Sequence, residues 1–156
     1  MKRIDKINYY LDIAESVAER GTCLRNNYGS VIVKNDEIIS TGYTGAPRGR
    51  QNCLDLGYCI RKNANMPSGT GYEVCRSVHS EQNAIISASR RDMLGSVLYL
   101  VGVNKRNGEY VKDNKPCTFC KRMLINAGIE KVVMRDTKED YRIELVSEWI
   151  ENDDTL

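Results

Sequence analysis

The sequence predicts an α/β fold, and three observations carry that prediction. An amphipathic helical stretch precedes two alternating strand segments. A strand that is buried by its composition, "SVLYLVGV", follows a second helical stretch. A third helix, bounded by Pro116 and Gly128, runs into a further strand. At 156 residues the chain suits a single domain, 1–156, whose core needs no disulfide staples.

Ile4, Ile7, Leu11, Ala14 and Ala18 recur in steps of three and four, one face of a helix that Gly21 ends. Residues 28–34 and 37–43 read as strands joined by a tight turn at Asn35 and Asp36. Residues 79–91, "HSEQNAIISASRR", read as one helix, with apolar positions at 84, 85 and 88. "SVLYLVGV" is a buried strand by composition, and the Asn107-Gly108 pair after it predicts a short hairpin. Pro116 and Gly128 punctuate the next helix. "EKVVMR" is a short strand, Tyr141, Ile143 and Leu145 alternate as in a last strand, and Ser147 is placed to cap a terminal helix. The exception to this order is 44–76, aperiodic and rich in Gly, Asn and Pro. Such a long loop calls for a function.

Composition excludes several classes. Charged residues make up 28% and the formal net charge is +2, with the charges scattered. That balance gives no basic stripe for nucleic acid. No apolar run approaches the roughly 20 residues of a membrane span. The opening "MKRIDKINYYLDIAESV" is too acidic and amphipathic for a signal peptide, so a cytoplasmic protein is expected. The acidic end, "EWIENDD", reads as a solvated terminus. In a reducing compartment, six clustered cysteines point to metal or chemistry rather than disulfides.

Cys117 and Cys120 stand three apart at a helix start, which puts both sulfurs on one face where the helix dipole favours thiolates. Alone, the pair fits a thioredoxin-like redox couple or half of a zinc site. His79 is the only histidine, and Glu81 follows it by two. One imidazole and two thiolates make three zinc ligands and leave a fourth position open, the catalytic pattern. A carboxylate beside that position can take a proton and pass it on. A redox protein leaves His79 and Glu81 unexplained, and a non-catalytic zinc module leaves Glu81 unexplained.

His79-Ser80-Glu81 followed by Pro116-Cys117-Thr118-Phe119-Cys120 matches the H-x-E and P-C-x-x-C pattern of zinc-dependent nucleobase deaminases. Together with "GSVIVKNDEIISTGYTGAPRG", "HSEQNAI" and "PCTFCKRMLINAGIEKVV", it resembles the cytidine and deoxycytidylate (dCMP) deaminases, and the dCMP deaminases most closely, over roughly residues 20–135. The resemblance implies a three-layer α/β/α fold with a central mixed sheet. It implies a catalytic zinc on His79, Cys117 and Cys120, with Glu81 as proton shuttle. It also implies hydrolysis of dCMP to dUMP and ammonia, a homo-oligomer, often a hexamer, and dCTP and dTTP as effectors.

Thr44 stands where the family's Gly-Tyr-Asn-Gly loop carries the Asn that contacts the nucleotide sugar, so the base or nucleoside acted on stays open. Free cytidine, guanine, tRNA adenosine and a modified pyrimidine are the alternatives. Arg48 and Arg50 are candidates to hold a substrate phosphate, with Arg76 and Lys121 behind them, and Asn83 to brace the loop or the sugar. Cys23 and Cys53 match two positions of a second, structural zinc found in some relatives, and Cys59 and Cys75 are expected to complete it. The family runs directly from strand into Pro-Cys, whereas here residues 102–115 intervene and are expected to reshape a pocket wall or an oligomer contact.

Overall fold

The computed structural model describes residues 1–152, so the end of the acidic tail, 153–156, lies outside the described residues. Asp5 accepts a hydrogen bond from the Asn8 N–H at 2.9 Å and caps α1 (Lys6–Ala18). Ile4 therefore precedes the helix, and α1 stops short of Gly21. β1 (Asn26–Lys34) and β2 (Glu37–Tyr43) form the expected hairpin. Asn35 and Asp36 turn it at φ of 52° and 62°, the geometry whose twist matches paired strands.

The 44–76 stretch carries two one-turn helices, α2 (Cys53–Leu56) and α3 (Ile60–Asn63), and a 3-10 turn at Tyr72–Val74. The single helix expected over 79–91 is two: α4 (Ser80–Ile86) and α5 (Arg90–Met93). Ser89 causes the break, since its hydroxyl accepts the Asp92 N–H at 3.2 Å and starts a new helix. β3 (Val97–Asn104), α6 (Thr118–Ala127), β4 (Lys131–Arg135), β5 (Tyr141–Leu145) and α7 (Val146–Glu151) follow. Ser147 does not cap α7. The helix begins two residues earlier than such a cap would start it, with Leu145 in the cap position and no side-chain bond there.

The sheet order is β2-β1-β3-β4-β5, with β3 and β4 parallel and the other pairs antiparallel. Period-2 alternation sends neighbouring residues to opposite faces. Val31, Val33, Tyr99, Val101 and Val133 pack with Tyr10, Leu11 and Ala14 of α1. Ile32, Leu98, Leu100, Val132 and Met134 pack with Ala84, Leu124 and Trp149 of α4, α6 and α7. The expected three layers with a mixed central sheet are thus present. Among the described residues, no helix is long and apolar enough to cross a membrane.

The hairpin after β3 is reduced to one bridge, Val103 to Tyr110, closed by Gly108 at φ 72°. Tyr110 packs against the α1-side core, and its hydroxyl donates to Glu15 at 3.0 Å. That part of the 102–115 segment therefore covers the sheet face opposite α4 and α6.

Gly42 fixes how closely β2 meets α4. A Cβ there would lie 2.3 Å from the Ala84 nitrogen and 2.4 Å from the Ser80 oxygen, both backbone atoms that cannot swing aside. Gly42→Ala is expected to cost about 1–3 kcal/mol through overpacking, read as a lowered urea midpoint at unchanged slope.

Candidate active site

Two helix starts on the same side of the sheet build the site. Gln82 accepts the His79 N–H at 3.0 Å, which fixes the residue just before α4. Glu81 lies in the first turn of α4 and is 5% exposed. At α6, Cys117 is the cap residue, its sulfur accepting the Cys120 N–H at 3.5 Å, and Cys120 sits one turn in, fully buried. The local reason is the one read in the sequence: Pro116 precedes the helix, and Gly128 ends it at φ 82°.

His79 Nδ1 lies 3.5 Å from Cys117 Sγ and 3.3 Å from Cys120 Sγ. All three ligand atoms fall within 4.8 Å of one another. Zinc–nitrogen bonds near 2.0–2.1 Å and zinc–sulfur bonds near 2.3 Å give tetrahedral edges of roughly 3.5–3.8 Å. The residues present therefore fit a zinc ion with one position left open. Hydrogen bonding by the Cys120 thiol and by His79 pulls the Cys117 thiol down to about 4. Cys120 moves the opposite way, because it donates to Cys117 and is buried beside Glu81. The Cys117 sulfur holds the His79 imidazole above its ordinary range. A cation would relieve this concentration of negative charge.

A cavity of about 190 Å³ opens onto the centre, and His79, Ser80 and Glu81 lie in its wall. Tyr28 and Tyr72 supply its aromatic surface. The Tyr72 ring stands edge-on to His79, with centroids 5.1 Å apart. Burial and, after it, the Glu81 carboxylate push the Tyr28 phenol up to about 12, so it stays protonated. Thr44 also lines the cavity, but its hydroxyl is engaged locally, accepting the Tyr28 N–H at 3.0 Å. Asn83 donates to the Tyr43 carbonyl at 2.8 Å, bracing the end of β2 below the Thr44 loop.

The cations of this cavity are Arg25 and Arg61. Arg48 and Arg50 are exposed and outside its wall. Arg76 donates instead to the Gln51 carbonyl at 3.1 Å, and Lys121 lies over the Trp149 ring at 5.2 Å. Arg48 and Arg50 are the cations nearest the Gly42–Gly45 motif along the chain. The folded 44–76 segment brings Arg61 back over the site instead, with its guanidinium 4.6 Å from the centre of the Tyr72 ring. Arg25 and Asn26 enter from the start of β1, where only the strand register shows that they face the cavity.

The other four cysteines share one neighbourhood. Burial, followed by the proximity of Cys23, Cys75 and Cys59, raises the Cys53 thiol. Among the described residues their sulfurs are not drawn into a group as tight as the His79 centre. Cys23 and Cys75 also line the cavity.

The family model of the cytidine and deoxycytidylate deaminase zinc-binding region matches residues 4–135. The chain is 33% identical over 138 residues to the deoxycytidylate deaminase of Mycobacterium phage D29, covering 85% of this chain and 96% of that one. It is 32% identical over 127 residues to the deoxycytidylate deaminase of Schizosaccharomyces pombe, covering 81% of this chain and 35% of that longer protein. In three dimensions it is similar to the dCMP deaminase of cyanophage S-TIM5 solved with dCMP and dUMP. The TM-score is 0.62 at 24% identity, over 88% of this chain and 85% of that one, a likeness of fold.

Proposed function

The chain belongs to the cytidine and deoxycytidylate deaminase family, and from that premise we propose that it hydrolyses dCMP to dUMP and ammonia. The observation that carries the reading is Glu81. It is a carboxylate 5% exposed, set in the cavity wall two residues from His79 and accepting a hydrogen bond from Ser80 Oγ at 2.7 Å. His79, Cys117 and Cys120 hold the zinc, which when bound acts as a Lewis acid and brings the pKa of water toward neutrality. Glu81 takes a proton from the attacking water and gives it to N3 of the pyrimidine as the water oxygen bonds to C4. Glu81 then takes the remaining proton from the new C4 hydroxyl and delivers it to the amine, so that the C4 carbonyl forms as the C4–N bond breaks and ammonia leaves. Water and dCMP are consumed, and dUMP and ammonia are formed.

The two arginines in the cavity wall favour a nucleotide over a free nucleoside. A guanidinium matches a phosphate with paired donors. The test is ammonia release from dCMP, deoxycytidine, cytidine, guanine and adenosine by the zinc-loaded protein. dCMP is expected to react fastest, and a preference for any nucleoside or purine overturns the reading. Arg25→Ala or Arg61→Ala is expected to raise KM for dCMP by about tenfold or more, the loss of one charge-assisted contact of roughly 1.5–3 kcal/mol. Activity on deoxycytidine, which has no phosphate, should not change.

Cys23, Cys53, Cys59 and Cys75 are proposed to hold a second, structural zinc, supported by their shared neighbourhood and by the need to order the 44–76 segment. Metal analysis of pure protein is expected to give two zinc ions per chain, falling to one in Cys53→Ala. One zinc in the unmodified protein contradicts the second site.

A further inference from the structure

Ser30 on β1 and Ser80 at the start of α4 are both fully buried, with their hydroxyl oxygens 2.8 Å apart. Ser80 Oγ also donates to Glu81 Oε1 at 2.7 Å. A hydroxyl carries one proton. Ser80 spends its proton on Glu81, so the proton between the two serines belongs to Ser30. The direction is therefore set: Ser30 donates to Ser80, and Ser80 donates to Glu81.

The last torsion of a glutamate is broad and roughly two-fold, and packing alone selects it weakly. A donor chain ending on one oxygen selects one orientation. It also keeps Oε1 engaged, so that Oε2 is the oxygen without this donor. β1 has β2 and β3 on either side, and Ser30 pairs with Gly42 on one and Leu100 on the other, so its backbone is held by both neighbours. The Ser40 hydroxyl further ties α4 to the sheet, donating to the Ala84 carbonyl at 2.7 Å.

We propose that Ser30 and Ser80 are positioning residues that act in series, holding Oε1 of Glu81 so that Oε2 meets the reacting water and base. This rests on the reading of Glu81 as the proton shuttle. Neither serine touches substrate in the role proposed, so their loss lowers turnover without weakening binding.

The test is a double-mutant cycle of Ser80→Ala, Ser30→Ala and the pair, with kcat and KM on dCMP, zinc content and melting temperature measured for each. Ser80→Ala is expected to lower kcat about tenfold or more, the cost of one charge-assisted hydrogen bond, with KM within twofold and zinc retained. Ser30→Ala is expected to lower kcat less, and to have no further effect once Ser80 is Ala. The carboxylate stretch of Glu81, isolated in the infrared by subtracting the Glu81→Gln spectrum, is expected to shift in Ser80→Ala. That readout needs no turnover. An unshifted band, an unchanged kcat in folded and zinc-loaded Ser80→Ala, or a loss in Ser30→Ala that persists in the pair overturns the series arrangement. If Ser80→Ala does not fold, the band and kcat of Ser30→Ala decide alone, and no change in either overturns it. Inactivity of the unmodified protein on dCMP marks failure of the deaminase reading instead, which the infrared measurement does not depend on.

Discussion

Glu81→Gln is expected to lower kcat on dCMP by about 10²–10⁴-fold, the usual contribution of a positioned general acid–base group, while zinc content and melting temperature stay as in the unmodified protein. Gln has the size of Glu, and its carbonyl can still accept from Ser80 Oγ, which donates to Glu81 Oε1 at 2.7 Å. Packing at this buried position is therefore kept. What is lost is the ability to take a proton and return it. Because the proton transfers belong to the reacting complex, the loss falls on kcat more than on KM. A mutant that loses its zinc, or one that keeps full activity, places the proton shuttle elsewhere.

The largest expected effect on stability is at Arg135, the last residue of β4, which is 0% exposed. Its Nη1 lies 2.8 Å from Asp12 Oδ1 and 2.7 Å from Glu15 Oε2, and its Nη2 donates to Asn8 Oδ1 at 3.0 Å. Asn8, Asp12 and Glu15 recur along one face of α1, so this one side chain joins α1 to the end of β4. Lys138 adds a second, exposed cation to the same two carboxylates, at 3.0 and 3.4 Å. Removing one partner of a buried pair costs about 3–5 kcal/mol. Here the carboxylates are 35% and 27% exposed, so water and Lys138 compensate part of the loss.

Arg135→Met is therefore expected near the low end, about 3 kcal/mol. At roughly 2–4 °C per kcal/mol for a domain of this size, that is a melting-temperature drop of about 6–12 °C. Combining it with Asp12→Asn and Glu15→Gln is expected to recover part of the drop, since the stranded charges go with the arginine. A drop of under about 1 kcal/mol for Arg135→Met would show that the network contributes little.

Much of the scaffold was legible because its signals are local. The Asn35-Asp36 turn, the Pro116-to-Gly128 helix and the alternation of Tyr141, Ile143 and Leu145 each depend on residues within a few positions of one another. The same holds for the spacing of Cys117 and Cys120, and the structure brings both to His79. The small helices were missed although their caps were in view. Asn52 and Asp55 form a reciprocal capping box around α2, and Ser89 with Asp92 starts α5. In both cases a capping pair spaced by three outweighed the apparent loop or the apparent continuous helix.

What the sequence hid is what folding brings from afar. Arg61 reaches the cavity only because α3 and the Tyr72 turn fold back over it. Arg48 looked closer because it neighbours the Gly42–Gly45 motif in the chain. Ser30 and Ser80 are 50 positions apart and give no sign of contact until β1 and α4 are packed together.

Deamination of dCMP by the proposed His79, Cys117 and Cys120 centre with Glu81 makes the chemistry depend on the metal. The most direct measurement follows dCMP loss, dUMP formation and ammonia release in one reaction with protein of measured zinc content. It is repeated after chelation and again after zinc is restored. dUMP and ammonia are expected in equal amounts, with loss of both on chelation and recovery with added zinc. Zinc-loaded protein that releases no ammonia from dCMP, or activity that survives complete removal of the metal, contradicts zinc-dependent deamination of dCMP.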